Sequence, residues 1–324
     1  VSHAASAAPE LSGAHAHPPP AVTLLCAVHR LLGRRRRGRA LLEALRLRRL
    51  ARYWLRAAVV APQRRRPDDV TVLIGVRDRT DHRLGLALRS IREQEYPAAL
   101  LHALVVDYGS EPAAAGRTAE VCRDYQATYV RVETAGVWSR SRCLNVGVRR
   151  AATKFLLTSD VDILFAPAYV AEAVRALRES PLSVVCSRML DLPEDTADEL
   201  RRTGECGAPL RLHEWKRAST PRYGWRSHPS IAMTYTAFHQ AIRGYDEFYE
   251  LWGAEDVDLL RRLTKLGLER RALTSEAAFY LHQWHPKYEN LPVEGRERAV
   301  RRNEERWRRL QTIVRNDASW GAGR

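Results

Sequence analysis

From residue 70 onward the chain alternates short apolar runs with amphipathic ones. Residues 70–76 are a β-branched run bounded by Pro67 and by the polar Arg77-Asp78-Arg79-Thr80-Asp81, which predicts a buried strand opening into a loop. Leu84, Leu88 and Ile91 then share one helical face, and Tyr96-Pro97 stops that helix. Residues 101–106 predict a second strand ending at Asp107-Tyr108-Gly109-Ser110, the stretch to Gln126 reads as helix, and residues 129–132 read as a short third strand. Strands and helices in alternation with short connections predict an α/β fold with a parallel sheet, whose carboxyl ends carry the site.

The alternation continues. Gly136-Val137-Trp138-Ser139-Arg140-Ser141-Arg142 opens a helix running to Ala152, and residues 155–158 form a buried strand leading into Ser159-Asp160-Val161-Asp162. A helix over 168–178 and a strand over 182–189 follow. Residues 190–230, with Gly204, Gly207, Pro209, Pro221, Gly224 and Pro229, predict an irregular stretch long enough to cover the site. Trp252-Gly253 predicts a tight turn into a helix that carries Glu255 and Asp256, passes Leu266 and stops at Gly267. Residues 294–314 predict a charged helix, with Trp307, packed on the core.

Composition changes the picture mainly at the amino end. The 324 residues are 45% apolar and 28% charged, ordinary for a globular protein with one large or two small domains. The net charge of +15 is uneven: residues 1–70 hold 14 Arg, no Lys and 4 acids, or +10. Residues 1–20, rich in Ala, Ser, His and Pro, predict disorder. Residues 21–62 turn to Leu, Ala and Arg, with an Arg34–Arg37 block and Leu41, Leu42, Leu45, Leu50 and Leu55 at helical spacing. They read as a basic amphipathic helix touching an anionic surface, or as an extension solvated or packed on the domain. The expected division is a basic extension over 1–66, a catalytic domain over 67–292, and a charged helix and tail over 293–324.

Five scattered cysteines without a C-x-x-C pair suggest a reducing compartment and no zinc site. The best apolar stretch, 21–32, is short, contains His29 and Arg30, and has its charge after it, unlike a secretory signal. A cytoplasmic location is expected, peripheral at an anionic membrane surface through residues 21–66, with no nucleic acid partner. Val1 leaves the true start open.

The chemistry gathers at Asp160 and Asp162, an i, i+2 pair where a strand ends. Such carboxylates suit a hard cation, Mn²⁺ or Mg²⁺, that bridges a nucleotide pyrophosphate; they equally suit a turn or a helix cap. Four stretches widen the pattern: residues 74–79, 139–147, 159–162 and 251–259, the last reading Leu-Trp-Gly-Ala-Glu-Asp-Val-Asp-Leu. In this order they resemble the metal-dependent GT-A glycosyltransferases, in particular the β-1,4-galactosyltransferase type and bacterial family 2 enzymes with the same carboxy-terminal motif. The likeness spans about residues 70–290.

The resemblance implies a Rossmann-like GT-A fold, a central, mostly parallel sheet flanked by helices. It implies contacts of Arg77, Asp78, Asp107, Arg140, Arg142 and Asp160 with the nucleotide sugar, Arg140 and Arg142 joining a helix amino terminus at the pyrophosphate. Asp162 would hold the metal with His282 or, close behind, His285. Trp252, Gly253 and Glu255 would hold the acceptor while Asp256 takes its proton. The implied reaction is an inverting transfer of a hexose or N-acetylhexosamine from a nucleotide sugar, UDP foremost, to a hydroxyl of a glycan, peptide, lipid or small molecule.

Departures limit the likeness. Phe279 stands where the galactosyltransferases add a metal-binding methionine, so water or the second histidine would complete the coordination. Gly75-Val76 replaces a proline and an aromatic before Arg77. A bacterial, cytosolic relative whose donor sugar need not be galactose is implied. Trp215, Tyr223 and Trp225 are candidates for stacking on a sugar. The rival reading is a nucleic-acid or anionic-membrane binding protein that acts through its arginines on a degenerate scaffold.

Overall fold

The computed structural model describes residues 50, 52–79, 81–222, 228–286 and 294–323. The catalytic-looking part runs β1 (Val70–Val76), α1 (His82–Arg92), β2 (Leu101–Tyr108), α2 (Pro112–Asp124), β3 (Thr128–Val132), α3 (Arg140–Arg150), β4 (Phe155–Ser159), β5 (Ile163–Phe165), α4 (Tyr169–Glu179) and β6 (Ser183–Ser187). It continues with β7 (Met189–Asp191), α5 (Ala197–Cys206), α6 (Leu212–Ala218), β8 (Thr220–Pro221), β9 (His228–Tyr235), α7 (Thr236–Ala241), α8 (Glu255–Leu266), β10 (Glu269–Ala272), β11 (Tyr280–His282) and α9 (Arg296–Arg309).

Seven strands form the main sheet in the order β10-β6-β9-β4-β1-β2-β3. Only β9 runs against its neighbours; the other pairs are parallel. Strands such as β1 and β4 are buried on both faces, which is why their sequences read as continuous apolar runs. Helix α3 packs close on β1 and β2 because Gly147 has no side chain: a Cβ there would lie 2.2 Å from Leu73 Cδ1.

A second sheet, β5-β11-β7-β8, stands beside the first. It divides the strand predicted over 182–189. β6 ends at Ser187 in the main sheet and β7 begins at Met189 in the second, so one apolar run serves two ladders. Periodicity along the chain does not reveal that exchange of partners.

The described residues of the stretch 190–230 are not irregular, as its glycines and prolines predict, but largely helical. They include α5 and α6, whose Leu200, Leu212 and Trp215 join Leu164, Phe279 and Leu281 in a second apolar core. Gly204 lies inside α5 because that helix meets α1 there, where a Cβ would come 2.8 Å from His82 Cβ. Gly207, at φ +65°, closes α5. Trp215 is 3% exposed and its indole N–H donates to Glu199 Oε1 at 3.0 Å, so it is packing and not a sugar platform. Tyr223 and Trp225 lie outside the described residues.

Both flanks enter the core. Residues 1–49 and 51, with the predicted disorder and most of the basic helix, lie outside the described residues. Part of the expected 1–66 extension nevertheless belongs to the folded core. Residues 52–55 are helical and continue into a π turn, Arg56–Val60, and a 3-10 turn, Ala61–Gln63, burying Leu55, Val59 and Val60 in the main core. At the other end α9 is followed by a strap that buries Ile313 and Trp320 in the same core. Among the described residues no helix is long and apolar enough to cross a membrane.

Candidate functional site

Two groups of side chains meet at the carboxyl end of β4. The first is built by the second sheet. Ile163, next to Asp162, pairs with His282 across β5 and β11, and His282 pairs with Asp191 across β11 and β7. Register alone therefore sets Asp162, His282 and Asp191 side by side, and the turn after β11 returns His285. His285 Nε2 is 3.1 Å from Asp162 Oδ2 and His282 Nε2 is 3.8 Å from Asp162 Oδ1. One ligand atom from each of Asp162, His282 and His285 falls within 4.8 Å of the others.

The electrostatics of this group favour a cation. Burial alone would push the Asp162 carboxyl up, but His282, His285 and Arg79 hold it well below the ordinary aspartate range. Its hydrogen bond to Asp162 raises the His285 ring above its usual value. Asp162 Oδ1 is buried and accepts no hydrogen bond among the described residues, although a buried carboxylate oxygen ordinarily has a partner. One carboxylate and two imidazoles make a donor set that could hold a divalent metal ion. Phe279 is not near this role, since it lies in the second core against Lys216 and His213.

Sequence reading missed Asp191. Its Oδ1 lies 3.2 Å from His282 Nδ1, and Arg222 Nε donates to both its oxygens at 2.9 and 2.7 Å. Arg222 Nη2 lies 3.0 Å from the same Nδ1, so the tautomer sets whether Nδ1 meets the arginine or the carboxylate; the one that donates Nδ1–H to Asp191 leaves Nε2 free as a ligand. An acid ending a strand was the available signal, the same one that marks Asp107 and Asp160.

The second group forms around Arg140. Ser139 caps α3 by accepting the Arg142 N–H at 3.2 Å, and its hydroxyl donates to Tyr249 O at 2.7 Å. Leu251 N–H donates to Trp138 O at 2.8 Å. These bonds pin the turn before α8 against the start of α3. Arg140 Nε donates to Asp160 Oδ1 at 2.8 Å, while its Nη1 lies 3.9 Å from Glu255 Oε1, buried and without a hydrogen bond among the described residues.

The turn itself is held in left-handed backbone: Leu251, Gly253 and Ala254 have φ of +59°, +101° and +74°. It projects Trp252, 44% exposed, beside a small pocket lined by Arg140, Ser141, Tyr249, Leu251 and Glu255. Glu255 and Asp256 follow in the first turn of α8, where the helix dipole favours acids. Burial and the neighbouring Asp256 charge nevertheless push the Glu255 carboxyl up to about 7, with Arg140 opposing. Asp256 Oδ1 accepts the Val257 N–H at 2.6 Å.

The other residues read from sequence divide. Arg77 Nη1 donates to Gly136 O at 2.7 Å, and Asp78, at φ +52°, accepts the Glu111 N–H at 2.8 Å, so both shape the loop after β1. Asp107 is fully buried, its oxygens taken by the Ser110 N–H at 3.1 Å and the Tyr129 hydroxyl at 2.8 Å. Arg142 Nε donates to Glu247 O at 3.3 Å. Asp160 and Asp162 are thus turned to different tasks, one toward Arg140 and one toward the histidines.

A mostly parallel sheet flanked by helices, with an acidic pair at the end of its central strand, is the architecture of the GT-A glycosyltransferases. The family model described as "Glycosyltransferase like family 2" matches residues 71–289, and the chain belongs to that family. No curated protein matches its sequence. Among solved structures, TarS 1-349 of S. aureus is 17% identical with a TM-score of 0.49 over 66% of this chain and 60% of that one. A second TarS structure from S. aureus is 19% identical, TM-score 0.48, over 68% of this chain and 37% of that one. The mannosyltransferase PcManGT of Pyrobaculum calidifontis, in complex with GDP-Man and Mn²⁺, is 18% identical, TM-score 0.48, over 89% of this chain and 77% of that one. The chain spans less than two thirds of either TarS chain.

Proposed function

We propose that this protein transfers a hexose or N-acetylhexosamine from a nucleotide sugar, a UDP-sugar first among them, to a hydroxyl acceptor with inversion. The observation that carries this reading is one of placement. The Asp162, His282 and His285 group and the Arg140, Glu255 and Asp256 group flank a single acidic turn, Asp160-Val161-Asp162.

In this reading Asp162, His282 and His285 hold Mn²⁺, which would neutralise charge on the departing nucleotide diphosphate. Arg140 offers its unused Nη1–H to the same charge, and Asp160 both orients Arg140 and meets the donor ribose or sugar. Glu255 and Trp252 position the acceptor at the pocket beside α8. Asp256 removes the proton from the attacking hydroxyl, so one displacement inverts the anomeric centre. Arg77, Asp78, Asp107 and Arg142 support the nucleotide side through the loops they shape.

The test is calorimetric titration with UDP, GDP and dTDP, each with and without Mn²⁺. Tight binding of one nucleotide only with Mn²⁺ supports the reading and names the donor class. Absence of binding for all three removes it. Release of sugar from the matching donor at full rate without acceptor would make the enzyme a hydrolase.

Two further results are expected. Asp191→Ala should weaken Mn²⁺ affinity about 10–100-fold, because the His282 ring loses the carboxylate beside its Nδ1. Electron paramagnetic titration of free Mn²⁺ reads this directly, and unchanged affinity would separate Asp191 from the metal. The second concerns pH. Glu255 must be ionised to accept a bond from the acceptor hydroxyl, so kcat/KM should rise with pH through about 7. Because the fold favours the protonated form, the same group should cost stability as pH rises from 4.5 toward 7. Glu255→Gln should flatten that limb of the rate profile, and a limb that stays in place would assign it elsewhere.

A further inference from the structure

Three of the six exposed large hydrophobic side chains among the described residues are neighbours: Leu50, Tyr53 and Trp54, 47%, 65% and 46% exposed. They do not touch the site described above. The segment that carries them is apolar on two sides. Leu55, Val59 and Val60 face the core, whereas Tyr53, Trp54, Ala57, Ala58 and Ala61 are exposed over two turns. Arg56, Arg64, Arg65 and Arg66 are exposed on the same segment.

Its position in the fold is defined by its bonds. Arg52 pairs with Glu269 at the start of β10, Arg66 donates to Ala152 O just before β4, and Leu55 lies against Gly267. All three anchor points are at the amino ends of strands, opposite the carboxyl ends that gather Asp160, Asp162 and His282.

We propose that this face docks the protein on an anionic lipid bilayer, with Tyr53 and Trp54 at the headgroup level and the arginines among the lipid phosphates. Amphipathic aromatic rings settle at the boundary between headgroups and acyl chains, and exposed arginines are drawn to an anionic leaflet. Residues 1–70 carry 14 Arg against 4 acids, so the field points the same way. A second copy of the chain is a poor occupant, since pairing would bring two such segments of +10 together. Nucleic acid would use the arginines but leaves the aliphatic and aromatic face without an apolar partner. Docking in this manner leaves the carboxyl ends of the strands directed away from the bilayer, so the inference stands independently of the transferase reading.

The experiment is co-sedimentation of the full chain with vesicles of phosphatidylcholine alone and of an equal mixture of phosphatidylcholine and phosphatidylglycerol. Binding to the mixed vesicles is expected to exceed binding to the neutral ones at least about 10-fold and to weaken with salt. The double variant Tyr53→Ser/Trp54→Ser should lose most of that binding while keeping the parent's circular dichroism spectrum and urea midpoint, which shows that it is folded. Equal partition of parent and double variant, equal binding to both vesicles, or no binding to either would overturn the proposal. So would preferential binding of a short duplex RNA that the double variant retains.

Discussion

Asp256→Asn is expected to lower kcat by about 10²–10⁴-fold while leaving Mn²⁺-dependent nucleotide affinity unchanged. The substitution keeps the shape of the side chain and its bond to the Val257 N–H, and removes only the capacity to take a proton. Asp256 is not one of the three metal-facing residues, so calorimetry of the nucleotide should not register the change. Steady-state transfer and the titration together decide the point. A variant that transfers sugar at the parent rate would remove Asp256 from the mechanism, and one that loses nucleotide binding as well would make its role structural. Glu255→Gln is the complementary case, because Glu255 lines the acceptor-side pocket and should act more on KM.

Arg315→Ala should destabilise the fold by about 3–5 kcal/mol. The side chain of Arg315 is 1% exposed and joins Asp246 Oδ2 and Asp258 Oδ1, each at 2.9 Å. Asp258 is fully buried in α8 and is also held by Arg262 at 2.8 Å; Asp246 is shared with Arg306 at 2.8 Å. Removing Arg315 leaves two buried carboxylates under-compensated, which is why the expected cost exceeds that of a surface pair. Burial would raise the Asp246 carboxyl, but Arg306 and Arg315 hold it below its usual value. Its contribution is therefore full at neutral pH and is lost as the pH falls below the ordinary value of 3.8. Urea unfolding of parent and variant measures the difference. A loss under about 1 kcal/mol would show that the ion pairs of Arg315 contribute no more than surface pairs do.

The same network explains a feature of the Trp-Gly-Ala-Glu-Asp-Val-Asp stretch. Its third acid, Asp258, reads in the sequence as one more member of an acidic cluster. In the fold it turns inward and ties the helix that carries Glu255 and Asp256 to the carboxy-terminal strap. Along this one helical turn Asp256 stands on the half-open side and Asp258 on the buried one.

The parallel strands β1 to β4 and the helices between them are legible along the chain, whereas β9 begins inside the stretch expected to be irregular and β10, Glu-Arg-Arg-Ala, carries no apolar run. Strands buried on both faces must be apolar throughout, and helices with one buried face must repeat their apolar positions, so β1, α1, β2, α3, β4 and α8 are legible residue by residue. The acidic turn after β4 and the acid pair opening α8 were visible for the same local reason: each sits where an element ends. Tertiary structure alone decided what these acids face. A small second sheet, hidden within one apolar run and one apparently irregular stretch, sets Asp162, His282 and Asp191 in adjacent register. It also converts Trp215 from an apparent ligand platform into core. Strand pairing between residues as far apart as His282 and Asp191 or Ile163 leaves no periodic trace along the chain, because each partner's pattern records only its own burial. The flanks follow the same rule. Leu55, Arg315 and Trp320 are unremarkable in charged surroundings, and only the folded neighbours they meet make them part of the core.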